Sequence, residues 1–232
     1  MRKILIILLF ICSAAECFAQ SQYFLEINHN RLDFHAFRED SVPANTWKFY
    51  NESNHSSPIV FFNLANEEKV LTLLMKPFSY AETPQRNNNN FFDITQVFGE
   101  ITVQTDYSGL PVRTLIGDDI IIDNGISKIS MIVYPNSDIY ITAYSGKATV
   151  RFRKSVLLLI AGETAVLHID DGSYDYIDNF DYDTTMNRII SKIVSDRTVL
   201  SNDIRDKMSS FDDTSSAAYR RLWVTRRFLE EY

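Results

Sequence analysis

Hydrophobic and polar positions alternate with a period of two along most of this chain. The clearest run is Ser137–Ile169, in which Ile139, Ile141 and Ala143 alternate with polar or ambivalent neighbours, Ser145-Gly146 turns the chain, Ala148, Val150 and Phe152 resume, and Val156–Ile160, Ala161-Gly162 and Ala165–Ile169 repeat the pattern. Period two sends successive side chains to opposite faces, and glycine breaks cut the run into short strands with one buried face each. Upstream, Gly99–Gln104, Val112–Leu115, Asp119–Asp123 and Ile126–Tyr134 read the same way, with turns at 106–111, Gly117-Asp118 and Asn124-Gly125. The Asn-Gly dipeptide predicts a hairpin. Nearer the start, Tyr23–Ile27, Leu32–Phe37, Thr46–Tyr50 and Ile59–Leu64 are apolar or alternating, and Val70–Met75 fits a strand and the start of a helix alike.

The period changes after Asp170-Asp171-Gly172, which should end the strands. An acidic, tyrosine-rich segment (DDGSYDYIDNFDYD) leads to Thr184-Thr185, a pair able to cap a helix whose apolar stripe is Met186, Ile189, Ile190, Ile193 and Val194. Further helices are predicted near Asp203–Phe211 and over Ser215–Glu230. Residues 82–90 (ETPQRNNNN) have linker composition, rich in turn formers and poor in apolar side chains. The expected architecture is mainly β: an N-terminal β module (20–81), an Asn-rich linker (82–92), a β-sandwich or roll-like domain (93–177) and a helical C-terminal extension (178–232).

The first twenty residues bear on compartment. Arg2 and Lys3 precede the apolar run Ile4–Ile11, and Ala19 offers a small residue for cleavage, so residues 1–19 read as a secretory signal peptide. The run is shorter than the ~20 residues that span a bilayer. Glu16 directly before Cys17, and the short apolar core before Cys12, argue against lipidation. The expectation is a periplasmic or secreted protein. Both cysteines lie in this leader, so the rest of the chain must fold without disulfides or a cysteine metal site. The formal charge of −7 opposes binding to nucleic acid and to anionic lipid.

Several phrases together resemble a known family. The order Gly99-Glu100-Ile101-Thr102-Val103, Leu110-Pro111-Val112-Arg113 with Ile116-Gly117-Asp118, Ser137-Asp138-Ile139-Tyr140-Ile141, Ser145-Gly146-Lys147-Ala148-Thr149-Val150 and Leu159-Ile160-Ala161-Gly162-Glu163-Thr164-Ala165 resembles the FecR-type periplasmic β domain over about residues 98–177. Asn179-Phe180-Asp181 with Arg188 resembles the segment that follows this domain in some exported members, with Tyr182 or Asp183 where those have tryptophan. Family members include regulators with a cytoplasmic anti-sigma segment and one membrane helix. This chain resembles the periplasmic part alone, which implies a non-enzymatic binding, scaffold or signalling-accessory module with an envelope protein as partner.

Candidate chemistry is sparse. His29, Asp33 and His35 have spacing for a metal site on one straight strand, against the simpler reading of solvated loop residues. Asp170, Asp171, Asp175, Asp178, Asp181 and Asp183 offer oxygen ligands for calcium without the spacing of a helix-loop-helix calcium loop, so an acidic connector is the plainer account. Tyr174, Tyr176, Phe180 and Tyr182 are expected to cover the last strand; a carbohydrate- or peptidoglycan-binding module would instead need a row of solvent-facing Tyr or Trp on one sheet. Arg220-Arg221 and Arg226-Arg227 are expected to pair with the acidic connector, the alternative being an anion clamp. Glu163 and His168 suggest a cupin-like metalloenzyme only if further ligands converge inside a barrel. No catalytic, cofactor or metal residue is assigned: the sequence has no Gly-x-Ser-x-Gly elbow, no His-Glu-x-x-His helix and no phosphate loop.

Overall fold

The computed structural model describes residues 23–27, 30–32, 46–51, 55–63, 66–84, 91–106, 111–135, 137–212 and 217–231. The fold is mainly β. The strands are β1 (Tyr23–Ile27), β2 (Asn30–Leu32), β3 (Thr46–Asn51), β4 (Ser57–Asn63), β5 (Lys69–Met75), β6 (Ser79–Pro84), β7 (Phe92–Thr105), β8 (Val112–Ile116), β9 (Ile120–Asn124), β10 (Ser127–Val133), β11 (Ile139–Ser145), β12 (Lys147–Phe152), β13 (Ser155–Ile160), β14 (Thr164–Leu167) and β15 (Tyr174–Ile177). Three helices follow: α1 (Tyr182–Ser195), α2 (Arg197–Ser209) and α3 (Ala217–Glu231). The ambiguous Val70–Met75 segment is strand.

Strand β7 organises the sheet. Its first residues pair in parallel with β8 (Phe92↔Val112), its middle lies beside β6 (Tyr80↔Phe98), and its last third runs between β5 and β10, with Val103 opposite both Leu73 and Ile129. Changing neighbours along one strand requires a break in the ladder, and Gly99 supplies it. It sits at φ +84°, and a Cβ there would lie 2.8 Å from the Cα of Ser79. Only glycine accepts both the left-handed backbone and the close approach. The Ser79 hydroxyl fills the broken ladder, accepting from the Glu100 N–H and donating to the Glu100 carbonyl.

From β7 the main path of the sheet reads β13-β12-β9-β8-β7-β10-β11-β14-β15. The chain therefore crosses from one half to the other between β9 and β10, between β11 and β12, and between β13 and β14. The predicted Asn124-Gly125 hairpin is the first of these crossings, since β9 and β10 do not pair with each other. The reason lies in side chains: buried Asn124 donates to the Ser127 hydroxyl, and the Gly125 carbonyl accepts from the Thr105 hydroxyl of β7. Those bonds pin a bend where an isolated Asn-Gly would form a tight turn. At the second crossing Gly146 has φ +72°, and a Cβ would come within 2.2 Å of the Ile126 carbonyl. The two crossings thus lie against each other.

The sheet curls into a roll. One dry core fills its concave side, with Trp47, Phe49, Phe61 and Phe92 in edge or tilted contact (Trp47–Phe61 5.7 Å, Phe61–Phe92 4.9 Å) beside the inward residues of β5 and β7–β14. Residues on both sides of the expected linker contribute to it. Positions 85–90 lie outside the described residues, and β6 and β7 on either side of them are neighbours in the sheet.

The convex side is divided. Over β8, β9 and β12 it carries charges, with Arg113 held between Asp93 opposite and Asp123, and Arg151 on the other side of Asp123 at 2.5 Å. Over β6, β7, β10, β11 and β14 the helices cover it: Tyr80, Phe98, Ile132, Tyr134, Tyr140 and Val166 pack against Ile189, Ile193, Leu200, Ile204, Phe228 and Leu229. The predicted stripe of α1 is present, with Ile189 and Ile193 buried and Val194 at its exposed border. The cap differs: Asp181, not Thr184-Thr185, accepts from the Thr184 N–H, so the helix starts earlier. The second and third predicted helices are present, with α2 starting six residues earlier than expected. Strands also continue past Asp170-Asp171-Gly172, because β15 lies inside the segment expected to be a connector. Among the described residues no helix is long and apolar enough to cross a membrane.

Candidate binding cleft

At one end of the roll a cleft of about 340 Å³ opens between five segments: the β8–β9 turn, the β10–β11 connection, the β12–β13 turn, the chain after β14, and the last turn of α1. Its floor is apolar, formed by Ile116, Ile120, Val133, Ile139 and Phe152, the last inward residues of their strands. Its rim is charged, carrying Asp118, Asp119, Asp138, Asp170, Arg153 and Lys192.

Arg153 is the most constrained rim residue. It occupies the β12–β13 turn at φ +51°, donates its backbone N–H to the Asp119 carbonyl at 3.2 Å, and donates from Nη2 to the Ile169 carbonyl at 2.8 Å. Its guanidinium lies 5.3 Å from the Phe152 ring and rests on Gly172, where a Cβ would fall 1.8 Å from Nη1. Among the described residues Arg153 makes no ion pair, and neither do Lys192, Asp118, Asp119 and Asp170. Asp138 does: its carboxylate lies 3.2 Å from His168 Nδ1, while His168 Nε2 lies 3.0 Å from Asp175. The hydrogen bond to Asp175 is the largest influence on His168 and raises its pKa, burial opposes it, and Asp138 adds to the rise.

The predicted site residues are distributed, not gathered. His29, Asp33 and His35 lie outside the described residues. Three of the six aspartates hold local structure instead of sharing a centre: Asp171 accepts from the Ser173 backbone and hydroxyl, which pull its pKa down, Asp175 faces His168, and Asp181 caps α1, whereas Asp170 lines the cleft. Among the described residues no three His, Cys, Asp or Glu side chains are grouped to hold a metal. Glu163 accepts from the Ile160 N–H, and His168 lies between Asp138 and Asp175, not inside the roll. Arg226 and Arg227 pair with Glu230 of their own helix at 2.9 Å, not with the acidic connector; the side chains of Arg220 and Arg221 lie outside those described.

The aromatic residues split between the two faces. Tyr174 and Tyr176 stand opposite Leu167 and Ala165 and so share the concave side, exposed on the edge strand, whereas Tyr144 alternates with inward Ala143 and faces the convex side. They form no single row. Phe180 and Tyr182 cover the helical layer, with Phe180 5.9 Å from Tyr140 and the Tyr182 hydroxyl donating to Glu100 at 2.6 Å. Sequence reading missed Arg153, Lys192, Asp119 and the Glu100–Tyr182 pair. Only the Gly117-Asp118 turn carried a local signal.

No protein-family model matches this chain, and no curated protein matches it. Two crystal structures of a "putative anti-sigma factor" from Parabacteroides distasonis ATCC 8503, at 2.50 and 1.65 Å resolution, are similar in fold. The first has a TM-score of 0.51 at 12% identity, over 66% of this chain and 73% of that one. The second has a TM-score of 0.49 at 12% identity, over 65% and 72%. At that identity the likeness with the first is one of fold.

Proposed function

We propose that this chain is an exported, non-enzymatic binding module of the cell envelope, a FecR-like signalling accessory that works by contact with a protein partner. The fold shared with the first Parabacteroides structure is the observation that carries this reading, because that protein's description is regulatory. The FecR-type phrases fall on β7, β8, β11, β12 and β13–β14, which build the roll. The leader at residues 1–19 would deliver it to the periplasm or beyond.

The test is a pull-down of the tagged full chain from an envelope extract of its own source, followed by reconstitution from purified components. The expected result is a stoichiometric protein complex that survives reconstitution. Recovery of glycan alone, or turnover of an envelope substrate by the purified chain, would overturn the reading.

A further inference from the structure

The geometry points to the cleft as a binding site for a short peptide with free termini and one basic side chain. This stands apart from the protein-partner reading and does not depend on it. Three features converge. The volume of about 340 Å³ lies at the small end of the roughly 300–1,000 Å³ range of small-ligand sites, which suits about three small residues and not a folded partner. The floor is apolar and accepts aliphatic side chains. The rim carries both signs of charge without internal neutralisation.

That last feature selects the ligand. Asp118, Asp119, Asp170, Arg153 and Lys192 line one cleft and make no ion pair among the described residues, while Asp138 is occupied by His168. A purely anionic ligand would meet three unpaired carboxylates, and a purely cationic one two unpaired cations. A zwitterion satisfies both, and a peptide is a zwitterion with an apolar-lined middle. Arg153 is the carboxylate anchor: its planar fork suits a terminal carboxylate, and Phe152, Gly172 and the Ile169 carbonyl already hold it, so little freedom is lost on binding. Lys192 adds a second cation from α1. The aspartates take the terminal ammonium, and their excess of one over the cations favours a ligand with one additional positive charge.

The test is calorimetric titration of the full chain with four probes: Ala-Lys-Ala, Ala-Ala-Ala, Ala-Glu-Ala and N-acetyl-trialanine amide. Affinity is expected to fall in that order, with the capped peptide at least about tenfold weaker than Ala-Ala-Ala. Arg153→Met should weaken the free acid about tenfold while leaving Ala-Ala-Ala amide unchanged. Because Arg153 also packs, Lys192→Met and Asp170→Asn, both exposed, give a second readout: the first weakens the free acid, and the second narrows the gap between the Lys and Glu peptides. Equal binding of capped and free peptides, preference for Ala-Glu-Ala, or no heat with any probe at millimolar concentration would overturn the assignment.

Discussion

The two faces of the sheet are held by different chemistry. The concave side is a single aliphatic and aromatic core, in which Phe61, Leu71, Leu73, Ile101, Val103 and Ile141 are completely buried. The covered part of the convex side mixes rings with polar groups. Tyr80 donates to Glu82 at 2.5 Å, Tyr182 donates to Glu100, and the Arg188 guanidinium donates to the Tyr140 hydroxyl. Burial alone fixes the first layer, because apolar contact is nondirectional and strong per area. The second requires named partners: a buried carboxylate without a donor is costly, so α1 must dock where Tyr182 reaches Glu100. The chain's two tryptophans report one layer each, Trp47 in the concave core and Trp223 of α3 against Tyr50 at 5.6 Å.

The largest expected effect is in the concave core. Phe61→Ala removes a ring that touches Trp47, Phe49 and Phe92, and should cost about 3–5 kcal/mol in urea denaturation. Single-tryptophan variants should then show Trp47 and Trp223 losing structure together, since the helices have nothing to dock on once the roll opens. Persistence of the Trp223 signal after Trp47 is lost would break the comparison.

The convex layer should respond more weakly and more locally. Tyr182→Phe keeps the ring and deletes the donor to buried Glu100, a loss of about 1–2 kcal/mol that the Trp223 transition should report before the Trp47 transition. There is a pH signature too. Burial first, then the bond to Glu100 and its charge, push the Tyr182 phenol well above the usual tyrosine value of 10.0. With the folded value raised, the contribution is present below about pH 10 and is lost as pH rises through the folded value. Stability should therefore fall on the alkaline side, and less steeply in Tyr182→Phe than in the parent.

Within the concave core two hydroxyls depart from the surrounding chemistry, those of Thr83, opposite Trp47, and Thr114. Thr114 alternates with Val112 and Ile116 on the inward side of β8, is 1% exposed, and its hydroxyl has no hydrogen-bond partner among the described residues. Thr114→Val should stabilise the protein by about 1 kcal/mol, since a nearly isosteric methyl replaces a desolvated hydroxyl. A thermal midpoint that falls would show that the layer is less uniformly apolar than its composition.

How far the sequence foretold each layer follows from the same difference. Period two marks Ile139, Ile141 and Ala143 as inward without knowledge of the partner strand, so the roll was legible. It is silent on Ile132, buried on the other face where helices fifty or more residues later cover it. The hairpin expected at Asn124-Gly125 failed because a bond from Thr105, distant in sequence, outweighs local turn preference. Strand β15 was hidden because Tyr-Asp-Tyr alternation reads as a polar connector until Leu167 and Ala165 stand opposite it. The cleft draws on five separate segments, and no local pattern encodes their meeting.

The smallest effect is expected beside the cleft, where neither layer's chemistry applies. His168 lies between Asp138 and Asp175 with about a third of its side chain in solvent, and Asp175 is mostly exposed. The folded pKa is raised, so the stabilisation is present below the unfolded value of about 6.5 and is lost as pH rises through the folded value. Exposure keeps it below about 1 kcal/mol. An NMR titration of the imidazole, assigned with His168→Gln, should give a midpoint above 6.5. Asp175→Asn should lower that midpoint more than Asp138→Asn, because the Asp175 hydrogen bond is the dominant cause of the rise. The reverse order would make Asp138 the principal partner of His168, and the imidazole would then tie β14 to the β10–β11 connection more firmly than to the edge strand β15.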